Sequence, residues 1–432
     1  MRNTPRSSIS RTRRAADPLN RSWSTEDRDV ADLGTVVHLV STLEGGGVER
    51  TLVRLLSGLP RRGLRHRLVA LRAAGSLVAQ LPDHISCLAL DARGRSVTAG
   101  LRAARRIPRD TVRLIHARGI GAWTDAILMR LLHPRVRVIL GFHGLEAPEP
   151  IARSLRRRIT IASRLATRVA CPAESSRNLL IRLGVPANQI DVLPNGVDTA
   201  RFSPASEDRR RTLRAARGWA EDRCVAVCVA SLTPVKGHDL LIRAADALRN
   251  DRSPVEFVLI GDGPLRQCLE AEARRRGLSN TISFLGSRDD VPDLLRAADL
   301  LVCPSRSESM CNAILEGLAS GLPVVAADVG DNRLLLDHGS AGLIVPPEDP
   351  TALAGAIQTI VTDEPQRRAF ARAAQRRAST FSEDAMIARY DAYYRSLLRS
   401  SPITLLKAQS SEACFSTRIP TPQECHVSSS AD

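Results

Sequence analysis

Short apolar runs recur along this chain, separated by longer stretches in which apolar residues return every three or four positions. Short runs bounded by turn residues fit strands buried on both faces, and the periodic stretches fit helices laid over them. In the first half the runs are TVVHLVST, HRLVALR, HISCLAL, RLIHA, RVRVILGF, RVACP and QIDVLP. In the second they are CVAVCVAS, VEFVLIG, TISFLG, DLLVCP, PVVAAD and AGLIVP. Helical periodicity fills the gaps, as in VERTLVRLLSGL, HDLLIRAADALRN and PLRQCLEAEARRRGL. Strand and helix in alternation, twice over, predict an α/β protein of two parallel-sheet, Rossmann-like domains. The two series meet at LPNGVDTARFSP, whose Pro, Gly and Asp mark a linker. The expected division is a disordered basic extension over 1–30, domains over 31–198 and 199–381, a helix packing across both over 382–400, and a disordered tail over 401–432. A chain of 432 residues has room for this arrangement. Two such domains in series enclose a cleft at the carboxyl ends of their sheets, where ligands bind.

Aromatic residues make up only 3% of the chain, so aliphatic side chains must build the cores. No apolar run approaches the roughly 18–20 residues that span a bilayer. The Arg-containing start, MRNTPRSSISRTRRAADPLNRSW, lacks the apolar stretch of a secretion signal. A cytoplasmic protein is expected, with peripheral attachment to the inner face of the cell membrane as an option. Nine scattered cysteines form no CxxC pair and no zinc-like Cys/His spacing, so reduced cysteines and no metal are expected. A formal charge of +16 asks for an acidic partner: nucleic acid, an anionic membrane surface or a phosphorylated substrate. Few aromatics and no nucleic-acid motif argue against the first.

Candidate chemistry concentrates at strand ends. All but two of the 62 Lys and Arg residues are arginine, and one of the exceptions, Lys236, stands beside Gly237 where a strand gives way to a helix. A compact ammonium there suits a phosphate. In SRSESMCNAILEGLASGLPVVAAD, Glu308 lies in the loop after a strand, and Glu316 lies two turns into a helix that starts near Asn312. Met310, Cys311 and Asn312 open that helix, whose first N–H groups lack carbonyl partners and attract an anion. A sugar, a diphosphate and a ribose would meet Glu308, the helix end and Glu316 in turn. Gly46 and Gly47 in GGGVER let backbone approach a ligand, but without the GxGxxG pattern of nicotinamide binding. His143, in GFHGLE, can donate to a sugar hydroxyl or a phosphate, and His116 and Arg118, in LIHARG, are placed on the acceptor side. His38 reads as a core histidine. Gly261, in FVLIGDGPLR, brings a turn toward a nucleobase edge or simply closes a strand–helix loop. Asp289 and Asp290 read as a helix cap. The segment EPIARSLRRRITIASRLATR forms an amphipathic helix with a cationic face, suited either to solvent or to an anionic membrane.

Taken in order, GGGVER, FHGLE, LPNGVD, ASLTPVKGHDLL, IGDGPLR and ESMCNAILEGLASGLPVVAADVGDN resemble the retaining glycosyltransferases of family 4, over residues 34 to 398. The resemblance implies the GT-B fold, with two Rossmann-like domains facing a central cleft. It also implies a UDP- or GDP-sugar donor held mainly by the second domain, a saccharide or lipid-linked acceptor held by the first, and no metal cofactor. By motif, Glu308 would contact the donor sugar hydroxyls, Glu316 the ribose, Lys236 the diphosphate, His143 the donor sugar, and Gly46 and Gly47 the phosphates. One position departs. Where the family often has Gly-Arg-Leu, this chain has Ala230-Ser231-Leu232, so Ser231 cannot supply a cation at the diphosphate. Lys236 then works with backbone donors alone, or another arginine such as Arg306 substitutes. An epimerase of the same fold and a basic nucleic-acid-binding protein are the alternatives.

Overall fold

A computed structural model describes residues 33–44, 46–60, 63–91, 98–108, 111–145, 151–249 and 255–400. The sequence-predicted extension over 1–30 and tail over 401–432 lie outside these residues. The first sheet comprises β1 (Thr35–Val40), β2 (Arg65–Ala70), β3 (Ser86–Ala89), β4 (Val112–Arg118), β5 (Arg137–Gly141), β6 (Arg168–Cys171) and β7 (Ile190–Val192). The second comprises β8 (Cys224–Val229), β9 (Val255–Ile260), β10 (Ile282–Gly286), β11 (Leu300–Cys303), β12 (Val324–Ala327) and β13 (Gly342–Val345). These strands coincide one for one with the apolar runs. Strands covered on both faces bury every side chain, and β1, β11 and β12 are buried throughout.

All strand pairs within the sheets are parallel, in the orders β3-β2-β1-β4-β5-β6-β7 and β10-β9-β8-β11-β12-β13. Strand addition reverses direction between β1 and β4 and again between β8 and β11. At such switch points the loops leaving neighbouring strands diverge and open a crevice. Each sheet has an apolar layer on both faces, built almost wholly from aliphatic residues.

The chain crosses back to the first domain at its end. Val197 N–H donates to the Phe381 carbonyl and Glu383 N–H to the Val197 carbonyl, both at 2.8 Å. The helix Glu383–Arg399, capped by the Ser382 side chain, then buries Met386, Tyr390, Tyr394 and Leu397 against Val36, Leu52, Leu55 and their neighbours. Arginine is structural in several places. Buried Arg214 donates to the carbonyls of Ala220, Arg223 and Ala297 and to Asp299. The expected helix cap at Asp290 is corrected in detail: the residue stands at the N-cap of Val291–Ala297, but its side chain caps nothing and is held by Arg288 and Arg217.

Candidate functional site

The loops leaving β8 and β11 meet at the second domain's switch point. After β8 the chain forms a short turn, Pro234–Lys236, and enters the helix His238–Leu248 through Gly237 at φ +67°. A Cβ on Gly237 would run into the Pro304 carbonyl, so only glycine lets the lysine turn lie against the loop after β11. The Arg306 N–H, donating to the Val235 carbonyl at 2.8 Å, fastens the same two loops. This packing brings Lys236 Nζ to 2.6 Å from Glu308 Oε1, which also accepts from Ser305 Oγ at 2.8 Å. The Glu308 side chain is 9% exposed and that of Lys236 24%. Burial alone would pull the ammonium down, but the Glu308 carboxylate more than reverses this and raises Lys236 above the ordinary lysine range.

The helix Asn312–Ala319 follows, and its N-cap residue, Cys311, makes no side-chain capping bond. Its first N–H groups are therefore open to an anion beside Lys236. Glu316 lies about one turn into this helix rather than two, and is half-buried. Desolvation pushes its carboxyl up to about 7, against the pull of Arg54, Arg201 and Arg50. Met310 and Cys311 are buried, so what they offer a nucleotide sugar is backbone. Met310 sulfur accepts from Asn195 N–H at 3.2 Å, and Asn312 Oδ1 accepts from Asn195 Nδ2 at 2.9 Å.

First-domain loops close on this region. A Cβ on Gly47 would stand 3.3 Å from Asn312 Nδ2, and one on Gly144 would stand 3.4 Å from Ser309 Cβ. Gly46 is exposed next to Gly47; Gly45 lies outside the described residues. His143 Nε2 is buried with no hydrogen-bond partner among the described residues. Burial, and then the charge of Arg118, push His143 down to about 3, so it is a neutral imidazole with a nitrogen to offer. Asp331 of the second domain accepts from the N–H groups of Glu174 and Ser175 of the first, both at 2.8 Å. Ser176 Oγ lies 2.6 Å from Ser309 Oγ. The sequence carried no sign of Asp331 or Ser176; the signal for Asn195 was its place in LPNG.

Several expectations are corrected. His116 and Arg118 do not line the cleft as acceptor contacts. They are buried beneath the terminal helix, where His116 Nδ1 lies 3.0 Å from Tyr394 Oη and Arg118 donates to the same oxygen at 2.7 Å. His38 is buried as expected, in the same cluster, 3.1 Å from His66. Arg306 is no free substitute at the diphosphate, because Asp239 takes both its terminal nitrogens at 2.7 and 2.8 Å and Glu348 binds it too. Ser231 is exposed at the end of β8. Gly261, at φ +142°, packs so closely on the Ala230 carbonyl that a side chain there would clash, which accounts for the glycine without a nucleobase. Cysteine spacing gave no hint that Cys303, Cys311 and Glu308 would converge, yet their ligand atoms all lie within 4.8 Å of one another.

Two Rossmann-like domains with facing switch points define the GT-B class of fold. Residues 45–201 match the family described as Glycosyltransferase Family 4, and residues 209–377 match Glycosyl transferases group 1. The two matches lie in order across both domains, and the chain belongs to the family 4 glycosyltransferases. A D-inositol 3-phosphate glycosyltransferase of Salinispora tropica is 36% identical over 255 residues, 55% of this chain and 52% of that protein. The corresponding protein of Nocardia farcinica is 34% identical over 55% of this chain and 54% of its own length. The chain thus spans about half the length of these curated relatives. Among solved structures, HepE of Anabaena in complex with UDP superposes with a TM-score of 0.75 at 25% identity, covering 84% of this chain and all of HepE. WaaG, a glycosyltransferase involved in lipopolysaccharide biosynthesis, shares the fold at 18% identity and a TM-score of 0.65, over 83% of this chain and 99% of its own.

Proposed function

We propose that this protein transfers a hexosyl unit from a UDP- or GDP-sugar to a saccharide or lipid-linked acceptor, with retention of configuration, in the synthesis of a cell-surface polysaccharide or glycoconjugate. The observation that carries this reading is the Lys236–Glu308 pair beside an uncapped helix end at the β8/β11 switch point. HepE, which shares the fold across its whole length, has been solved with UDP and with UDP-glucose. Cleavage of the sugar–phosphate bond places negative charge on the departing diphosphate. Lys236 and the free N–H groups at the start of Asn312–Ala319 are already aimed there, so the charge is stabilised without rearrangement. Glu308 holds sugar hydroxyls, Glu316 holds ribose hydroxyls, and neutral His143 offers its unpartnered nitrogen to the sugar. Retention follows from attack on the face the diphosphate leaves, with the departing oxygen taking the acceptor's proton as the new bond forms.

These donors handle the diphosphate without a divalent ion, so activity is expected to persist in EDTA. Abolition by chelation with rescue by magnesium would overturn that part. The deciding experiment screens UDP- and GDP-sugars for nucleotide release with and without candidate acceptors. Acceptor-dependent release supports transfer; conversion of the donor's sugar without an acceptor supports the epimerase.

We place the acceptor at an anionic membrane face. Among the described residues no helix is long and apolar enough to cross a membrane. The helix Arg153–Leu165 buries Ile159 and Ala162, but Ile161 and Leu165 are 47% and 45% exposed. Arg153, Arg156, Arg157 and Arg164 flank Ile161 around a groove of about 410 Å³. Apolar side chains set among arginines suit a headgroup layer, where a lipid-linked acceptor would be presented beside the cleft.

A further inference from the structure

Cys303 closes β11 and Cys311 is the N-cap of the next helix, and the loop between them folds back so that their sulfurs lie 3.5 Å apart. We propose that Cys303, Cys311 and Glu308 bind a thiophilic divalent cation, zinc being the physiological candidate, and that its binding locks Glu308 and inhibits the enzyme. Two thiolates on one tetrahedral zinc, at about 2.3 Å each, stand roughly 3.8 Å apart. The sulfurs need to move by only a few tenths of an ångström to meet that spacing. The bonds from Lys236 and Ser305 both fall on Glu308 Oε1, which leaves Oε2 to serve as the third ligand. Water or Ser305 Oγ, 3.7 Å from Cys303 sulfur, completes the set.

Charge balance favours the site. With both thiols protonated, the Lys236–Glu308 pair is neutral. With a dication, two thiolates, the carboxylate and the ammonium, the cluster is neutral again. Binding therefore releases two protons and leaves no net charge in a pocket whose cysteines are 5% and 6% exposed. Access is from the cleft, where Lys236 and Glu308 are partly exposed.

Inhibition rests on the proposed role of Glu308, whereas metal binding is read independently of it. The full chain, reduced with a phosphine, is titrated with cadmium while thiolate-to-cadmium absorption and proton release are followed. The expected result is one bound cadmium and two released protons that Cys303→Ser loses. An unchanged titration in Cys303→Ser assigns the metal to other cysteines and overturns the site. Should that variant not fold, Glu308→Gln keeps both thiols and is expected to weaken cadmium binding by roughly tenfold or more. Unchanged affinity there overturns the three-ligand site. Transfer activity is expected to fall with zinc and return with EDTA. Activity indifferent to zinc at saturating occupancy refutes the inhibitory role, while absence of transfer under every condition counts against the proposed function and leaves the cadmium result standing.

Discussion

Lys236 is held 2.6 Å from a carboxylate and beside an open helix end, so its charge is fixed in place before any substrate arrives. Lys236→Ala is expected to lower turnover by about 10²–10³, the usual effect of removing one preorganised donor. A melting curve close to wild type would exclude unfolding as the cause, and activity within a few-fold of wild type would overturn the diphosphate assignment. The two glutamates should separate by ligand part in calorimetry. Glu316→Ala weakens binding of the free nucleoside diphosphate, while Glu308→Ala leaves it nearly intact and reduces transfer; the reverse order would refute both roles. Glu316 also sets a pH dependence. Its carboxyl titrates at about 7 in the fold against an ordinary 4.5, so it is mostly protonated below neutrality. An ionised carboxylate is the stronger acceptor for ribose hydroxyls. Affinity for a nucleotide sugar, whose diphosphate stays ionised throughout, should therefore rise from about pH 6 to about pH 8. Glu316→Gln should flatten the profile. The sign for stability is opposite. A raised carboxyl favours the folded state fully only below 4.5, and that contribution fades as pH climbs through 7.

At the scale of elements, the helix Arg153–Leu165 carries the membrane proposal. Arg156, Arg157 and Arg158 are exposed, and changing all three to Gln should reduce co-sedimentation with anionic vesicles without affecting the fold. Binding should weaken with salt, because the attraction is screened over about 10 Å at 0.1 M. Wild-type protein that stays in solution with such vesicles at low salt would end the membrane reading and leave the proposed donor site untouched. All thirteen strands among the described residues were legible beforehand, because strands covered on both faces are short runs rich in apolar residues, even where, as in β2, arginines interrupt them. The placement of Glu308 just before the start of Asn312–Ala319 was legible for a related reason: these residues lie close in sequence around one helix start. His116 and Arg118 were misplaced because what covers them, Tyr390 and Tyr394, lies more than 270 residues further along the chain. The Cys303–Cys311 contact was missed because it depends on how a loop turns back, which neither spacing nor periodicity reports.

Across the whole molecule, Asp331 fastens one domain to the other by capping the first turn of Glu174–Arg182. Asp331→Ala is expected to cost about 0.5–2 kcal/mol, the range for a lost helix cap, measurable in a urea melt. It should also widen the spread of domain separations seen by solution scattering, and an unchanged spread would show that the cap does not restrain the domains. The return of the last helix to the first domain has a consequence for the order of synthesis. Met386, Tyr390, Tyr394 and Leu397 complete the core around Val36 and Leu52, and they are among the last described residues made. At roughly 5–20 residues per second, the half of the chain after the linker takes on the order of 10–40 s to follow the first. Throughout that interval the first sheet waits on the ribosome without the helix that covers His38, His116 and Arg118. The domain translated second, whose sheet layers come almost wholly from its own residues, is then the one that finishes first. Nascent chains stalled after residue 381 should show a protease-resistant second domain beside a cleavable first. Release of the full-length chain should protect both.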